Sequence, residues 1–142
     1  MSSNLFIGVM SGTSLDAVDC VLADFTKPDS PQIIHSYSHP IPEDKQQLLF
    51  SLNVAQDNEI ELMLEMDVYM GQLIAESCNI LLSQANIAPK DIIAIGSHGQ
   101  TIRHYPSARF NSTLQIGDAN IIAEQTGITT IADFRRRDMV VG

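Results

Sequence analysis

Positive charge is scarce in this chain. Of 142 residues, 8 are Lys or Arg and 17 are Asp or Glu, a formal net charge of −9. Binding along a nucleic-acid backbone needs Lys and Arg gathered on one face. The only basic run, Arg135-Arg136-Arg137, is bracketed by Asp133 and Asp138, so no nucleic-acid partner is expected. Cysteine is scarce too. Cys20 and Cys78 form no C-x-x-C pair and have no His at ligand spacing, so they read as small buried apolar residues in a reducing compartment. No apolar run approaches membrane-spanning length. The first ten residues hold no Lys, no Arg and no long apolar stretch, so no signal peptide is expected. The expectation is a cytoplasmic protein with no membrane partner. A G-x-S-x-G elbow is missing, as is any Ser paired with a base. His35 and His39 share a strand face, but i, i+4 on a strand is about 13 Å, too long for one metal ion.

What is present describes a globular chain, 44% hydrophobic and 18% charged, with enough residues for a real core. Leu5 to Met10 is an apolar run of strand length. Ala17 to Phe25 alternates in part, with Val18, Cys20 and Leu22 opposed to Asp19, Val21 and Asp24. After the turn TKPDSP, residues 32 to 41 read as a third strand, with Ile33, His35, Tyr37 and His39 on one face. Three strands with short links form an antiparallel meander. Pro42-Glu43-Asp44 opens a short helix. A longer helix runs from about Asn58 to Gln84, with Leu62, Met66, Tyr69, Leu73 and Leu81 at helical spacing and a polar slip at Ser77. Its acids, among them Glu59 and Asp67, read as a solvated face, and Met63, Met66 and Met70 as core. Ile92 to Ser97 reads as a strand buried on both faces. Residues 98 to 112 read as irregular, and TLQIGD as a short strand. A helix follows between the N-cap Asp118 and Gly127. ITTIADF is a last strand. The order is β-β-β-α-α-β-α-β: an α/β protein with a mixed sheet covered by helices.

Four stretches carry candidate chemistry. The tip of GVMSGTSLDAVD is small and rich in hydroxyls, like a phosphate cradle, but lacks the Lys of G-x-x-x-x-G-K-[ST]. Gly12 supplies a positive φ there, Thr13 and Ser14 bring hydroxyls, and successive backbone N–H groups can form an anion nest. Asp16 and Asp19 stand close enough to hold a hydrated Mg²⁺. A plain hairpin accounts for the same residues. In GSHGQTIRHYP, His98 and Gln100 follow the most buried strand, where ligands gather in such sheets, and Gly96 and Gly99 let a ligand approach the backbone. A satisfied loop histidine is the alternative; Arg103 and His104 read as surface residues. In QIGDAN, Asp118 is either a helix cap or a carboxylate facing a sugar hydroxyl or metal. In ADFRRRD, Asp133 sits at a strand end, and Arg135 suits a carboxylate or phosphate. Arg136 and Arg137 read as a solvated turn.

Together GVMSGTSLDAVD, GSHGQTI, TLQIGDAN and TGITTIADFRRRD, in this order, resemble the anhydro-N-acetylmuramic acid kinases. The match is weakest from Lys27 to Pro89. One departure is Ala17, where the family pattern GTSLDGVD has Gly. The resemblance implies an actin/hexokinase-like ATPase fold (ribonuclease H-like), with residues 1–142 as its N-terminal domain and the second domain absent. It implies ATP and Mg²⁺, used to open the 1,6-anhydro ring with water and phosphorylate O6. The product is N-acetylmuramic acid 6-phosphate, a cell-wall recycling intermediate. It assigns Gly12, Thr13, Ser14, Leu15, Asp16, Ala17, Val18 and Asp19 to ATP, with Asp16 near Mg²⁺. It places His98, Gln100, Asp118, Asp133 and Arg135 near the sugar. The general base is expected beyond residue 142, so the chain alone is expected to be inactive, with an apolar face prone to homodimer formation. The competing reading is a non-catalytic domain that senses sugar or nucleotide.

Overall fold

A computed structural model describes residues 4–107 and 109–142. Its strands are β1 (Leu5–Ser11), β2 (Ala17–Asp24), β3 (Gln32–Pro40), β4 (Ile92–Tyr105), β5 (Ser112–Ile116) and β6 (Thr130–Ile131). The helices are α1 (Glu43–Ser51), α2 (Glu59–Ala85), α3 (Ala119–Thr126) and α4 (Phe134–Val141). The strands form one sheet in the order β3-β2-β1-β4-β5, with β6 beside β4. β1 pairs with β4 in parallel, and β4 with β6 in parallel; the other pairs are antiparallel. This is the expected mixed α/β sheet, and it agrees with the N-terminal domain of an actin/hexokinase-like ATPase.

Alternation sets the covered face. Ile7, Val9, Val18, Cys20 and Leu22 point to one side and are buried. Against them lies α2, whose Met66, Met70, Leu73, Ile74, Cys78 and Leu81 form one apolar stripe. Met63 packs at its margin. Ser77 fits inside the stripe because its hydroxyl donates to the Leu73 carbonyl, one turn back, at 2.6 Å. Cys20 and Cys78 meet in this core as free thiols. Their hydrogen bond, aided by burial, pushes the Cys20 thiol far above its ordinary range, so it is inert.

Four expectations are corrected. β4 does not stop at Ser97; it continues to Tyr105 through residues expected to be irregular. Polar side chains conceal this strand because β5 is its partner, and rungs such as His104–Thr113 and Thr101–Gln115 are themselves hydrogen-bonded. Arg103 is a clasp and not a surface residue. Its guanidinium donates to the Leu52 carbonyl and to Glu59, tying the start of α2 to β4. The last strand shrinks to Thr130–Ile131, and RRRDMVV is helical. Asp133, at φ 58°, turns the chain between them. Finally, Ile33 leaves the face of His35, Tyr37 and His39, because a bulge follows the Leu22–His35 pair and sets Ile33 opposite Ala23.

Candidate functional site

The site gathers where β1 ends beside the middle of β4. Ser11, the last residue of β1, lies opposite Gln100. Its hydroxyl donates to Gln100 Oε1 at 2.6 Å, and both side chains are buried. Gln100 Nε2 donates to the Thr101 carbonyl at 3.1 Å. Both ends of the Gln100 amide are therefore engaged within the fold.

The loop from Gly12 to Asp16 follows at once. Its positive φ belongs to Leu15, at 58°, and not to Gly12 as expected. The Leu15 side chain is buried in the core, and its N–H closes the turn on the Gly12 carbonyl at 3.1 Å. That anchor pushes Thr13, Ser14 and Asp16 outward, where all three are exposed. A Cβ at Gly12 would find only Ser14 Oγ, at 3.9 Å, so the tip is open to an incoming group. Ala17 opens β2 opposite Pro40 in ordinary strand conformation, so Ala in place of Gly costs the backbone nothing here. Val18 is wholly buried. Asp19 accepts a hydrogen bond from Ser38 at 2.7 Å. Leu15 and Val18 can meet a nucleotide only through their backbone. Among the described residues no three His, Cys, Asp or Glu side chains form a metal cluster.

Between β4, β5 and the starts of α3 and α4 lies a cleft of about 270 Å³. Its lining includes Ser97, His98, Gln115, Asp118, Asp133 and Arg136. Arg135, half-buried on α4, donates from Nη1 to His98 Nε2 at 3.2 Å. An acceptor at Nε2 puts the proton on Nδ1, which donates to the Gly99 carbonyl at 3.0 Å. His98 is thus held at both ring nitrogens. Asp118 caps α3 as expected, accepting from the Asn120 backbone N–H at 2.8 Å. Asp133 accepts from Arg136 at 3.4 Å. Arg136 stays solvated as expected, its side chain 61% exposed, and stands at the rim of the cleft, on a helix and not in a turn.

Asp67, Gly71, Ser97 and Gln115 were not singled out from the sequence. Asp67 accepts the Gly117 N–H on its carboxylate at 2.7 Å and the Asp118 N–H on its carbonyl at 3.1 Å. It fixes the strand-to-helix corner of the cleft. Its one hint is its place beside the buried Met66. Gly71 lets that corner approach α2, because a Cβ there would meet the Asp118 carbonyl oxygen at 2.9 Å. In a helix Ala should outstabilise Gly by about 1 kcal/mol. Gly71→Ala is expected to reverse that sign and destabilise the chain by about 1–3 kcal/mol, as read by urea unfolding. Ser97 Oγ and Gln115 Oε1 are the two buried side-chain polar atoms without a hydrogen-bond partner among the described residues. Both residues line this cleft. Gln115 Nε2 is already spent on the hydroxyls of Thr101 and Thr113.

The family model described as anhydro-N-acetylmuramic acid kinase matches residues 4–142. The curated anhydro-N-acetylmuramic acid kinases of Shewanella sp. (strain W3-18-1) and Coxiella burnetii (strain RSA 493 / Nine Mile phase I) are 50% and 49% identical to this chain over 142 residues. That of Shewanella sediminis (strain HAW-EB3) is 46% identical. Each comparison covers all of this chain but only 37–38% of the relative. With a family match spanning nearly every residue, and residues of three of its four motifs lining one cleft, the chain belongs to the anhydro-N-acetylmuramic acid kinase family.

Proposed function

We propose that residues 1–142 form the N-terminal, sugar- and phosphate-holding part of a cytoplasmic kinase for 1,6-anhydro-N-acetylmuramic acid. The observation that carries this reading is the pair of orphaned atoms, Ser97 Oγ and Gln115 Oε1, in one cleft. A buried polar atom without a partner costs about 1–3 kcal/mol. Two such residues along one cleft leave unmet hydrogen-bonding capacity that a polar ligand such as a polyhydroxylated sugar would satisfy. Asp118 and Asp133 add acceptors for hydroxyls. Arg135 adds a planar cation for the sugar's lactyl carboxylate, while its bond to His98 holds that cation in place.

The tip at Gly12, Thr13 and Ser14, just past the end of β1, suits the phosphates of ATP. It offers backbone N–H groups and two exposed hydroxyls around an open glycine. It has no cation of its own. A Mg²⁺ ion beside Asp16 would supply charge neutralisation to the phosphates when bound. In the proposed reaction the bond between C1 and O6 of the anhydro ring breaks. Water supplies the new hydroxyl at C1, its proton passes to a base, and O6 takes the γ-phosphoryl group as the γ-phosphorus separates from the β,γ-bridging oxygen and ADP leaves. The residues described here hold the sugar and phosphates in reach of each other, the positioning on which phosphoryl transfer mostly depends. The base is assigned to the longer part of the protein that the relatives carry.

Calorimetric titration with the anhydro sugar tests the cleft directly. Ser97→Ala removes a buried unpartnered hydroxyl, so it is expected to leave unfolding stability unchanged or raised by up to about 1 kcal/mol. The same change is expected to weaken sugar binding about 5–30-fold. Loss of stability with unchanged sugar binding would make Ser97 a structural residue and remove the basis of this reading.

A further inference from the structure

The first turns of α2 carry an apolar stripe that the core leaves out. Ile60, Leu64 and Val68 recur every fourth residue and so share one side of the helix. All three are exposed, Ile60 by 64% and Leu64 by 56%, and none joins the apolar cluster that α2 forms with the sheet. Phe50, at the end of α1, and Val54, in the link to α2, are exposed as well. Single exposed apolar residues are ordinary, but a run of them at helical spacing marks a contact surface. Beside Ile60 the surface dips into a notch of about 130 Å³. Met63, Ile102 and Leu114 are among its walls, so it accepts about one aliphatic side chain. Arg103 and Glu59 also line it, but they are bound to each other.

The charges beside the stripe select its occupant. Glu61 and Glu65 form an exposed row next to Ile60 and Leu64, and Asp57 stands just before α2. No Lys or Arg occurs from residue 46 to residue 89. Lys45 reaches Glu65 at 4.0 Å, whereas Asp57 and Glu61 make no ion pair among the described residues. A second copy of the chain would bring acid against acid, on top of a net charge of −9 on each. We propose that this surface docks a separate polypeptide, an amphipathic helix whose apolar face lies along Ile60, Leu64 and Val68. One large aliphatic side chain of that helix fills the notch, and its Lys or Arg residues stand against Asp57 and Glu61. The stripe and the notch supply affinity, while the acids set orientation and exclude acidic partners. None of these residues is among those assigned to sugar or phosphates, so the proposal does not rest on the kinase reading.

The test uses the 142-residue chain joined to the remaining part of the Shewanella sp. (strain W3-18-1) relative. A fluorescent helical peptide of about four turns, with Leu at every third or fourth position and Lys on both flanks, is titrated against it and followed by anisotropy. Leu64→Ser is expected to weaken binding about 5–10-fold, and Glu61→Gln about 2–5-fold, with Tm unchanged in both. Glu76→Gln, at an exposed acid further along α2, is expected to leave binding unchanged. A peptide with Glu in place of each Lys is expected to bind at least about tenfold more weakly. A peptide that ignores Leu64→Ser, or that loses as much to Glu76→Gln as to Glu61→Gln, is held by general charge attraction and overturns the proposal. So does a joined protein that binds no peptide. A dimer that Leu64→Ser disrupts also overturns it, by giving the stripe to a second copy.

Discussion

Gly99→Ala will destabilise this chain by about 3–4 kcal/mol, while Gly127→Ala, at the same φ, will cost about 1–2 kcal/mol. Both glycines sit at φ 70°. In that left-handed region any Cβ carries a penalty of about 1–2 kcal/mol. At Gly127 the space is open, with nothing within 4 Å of an added Cβ. At Gly99 the added atom would lie 2.4 Å from the Ile116 carbonyl oxygen. That oxygen is backbone, held by the β4–β5 ladder beside Gln100, so it cannot swing aside as a side chain would. Relief requires β5 to move. β5 carries Gln115 and leads to Gly117 and Asp118, so the cleft should deform with it. Urea unfolding followed by circular dichroism reads the difference between the two variants. Equal costs would mean that the β4–β5 corner is soft and the cleft geometry is not fixed by it.

Arg135→Ala is expected to lower kcat/KM for the anhydro sugar at least about 100-fold in the protein joined to the rest of the Shewanella sp. relative. Arg135 does two things in the proposed site. It offers a planar cation to the substrate carboxylate, and it holds the His98 ring through Nε2. Losing the first weakens binding and raises KM. Losing the second frees the ring that, through Nδ1, holds the Gly99 carbonyl, which should lower kcat. Arg135→Lys keeps the charge but not the fork, so it should recover part of KM and little of kcat. His98→Gln separates the two roles further: KM should change less than kcat. An Arg135→Ala protein with unchanged kinetics would return that side chain to the solvated basic turn.

Much of the fold was legible in the residues, and the failures have physical causes. β1 and β2 announced themselves because one face is buried and the other is not, so apolar side chains alternate. α2 did so because ten of its residues are buried, the large apolar ones at helical spacing. The second half of β4 was not legible. Its rungs are polar, and their hydrogen bonds to Thr113, Gln115 and α2 depend on partners far away in sequence. α4 was hidden because none of its residues is buried, so it has no apolar stripe to read. At the site, the small tip and His98 stood out through residue types that only a few conformations or contacts suit. Ser97 and Gln115 did not. An orphaned polar atom is visible only once its neighbours are placed. The role of Asp67 was masked by five other acids on the same stretch, from Asp57 to Glu76, and only the N–H groups of Gly117 and Asp118 set it apart. Nor was the bond of Gln100 to Ser11 legible, because the two are 89 positions apart.

Transfer of the ATP γ-phosphoryl group to 1,6-anhydro-N-acetylmuramic acid tests the central claim most directly. The 142-residue chain and the joined protein would be assayed side by side with Mg²⁺. The account predicts that the joined protein gives the 6-phosphate of the ring-opened sugar, that Ser97→Ala lowers this turnover, and that the short chain alone gives none. A folded joined protein that neither phosphorylates nor binds the sugar would contradict it. Sugar binding without turnover in either protein would favour a sensor over a kinase.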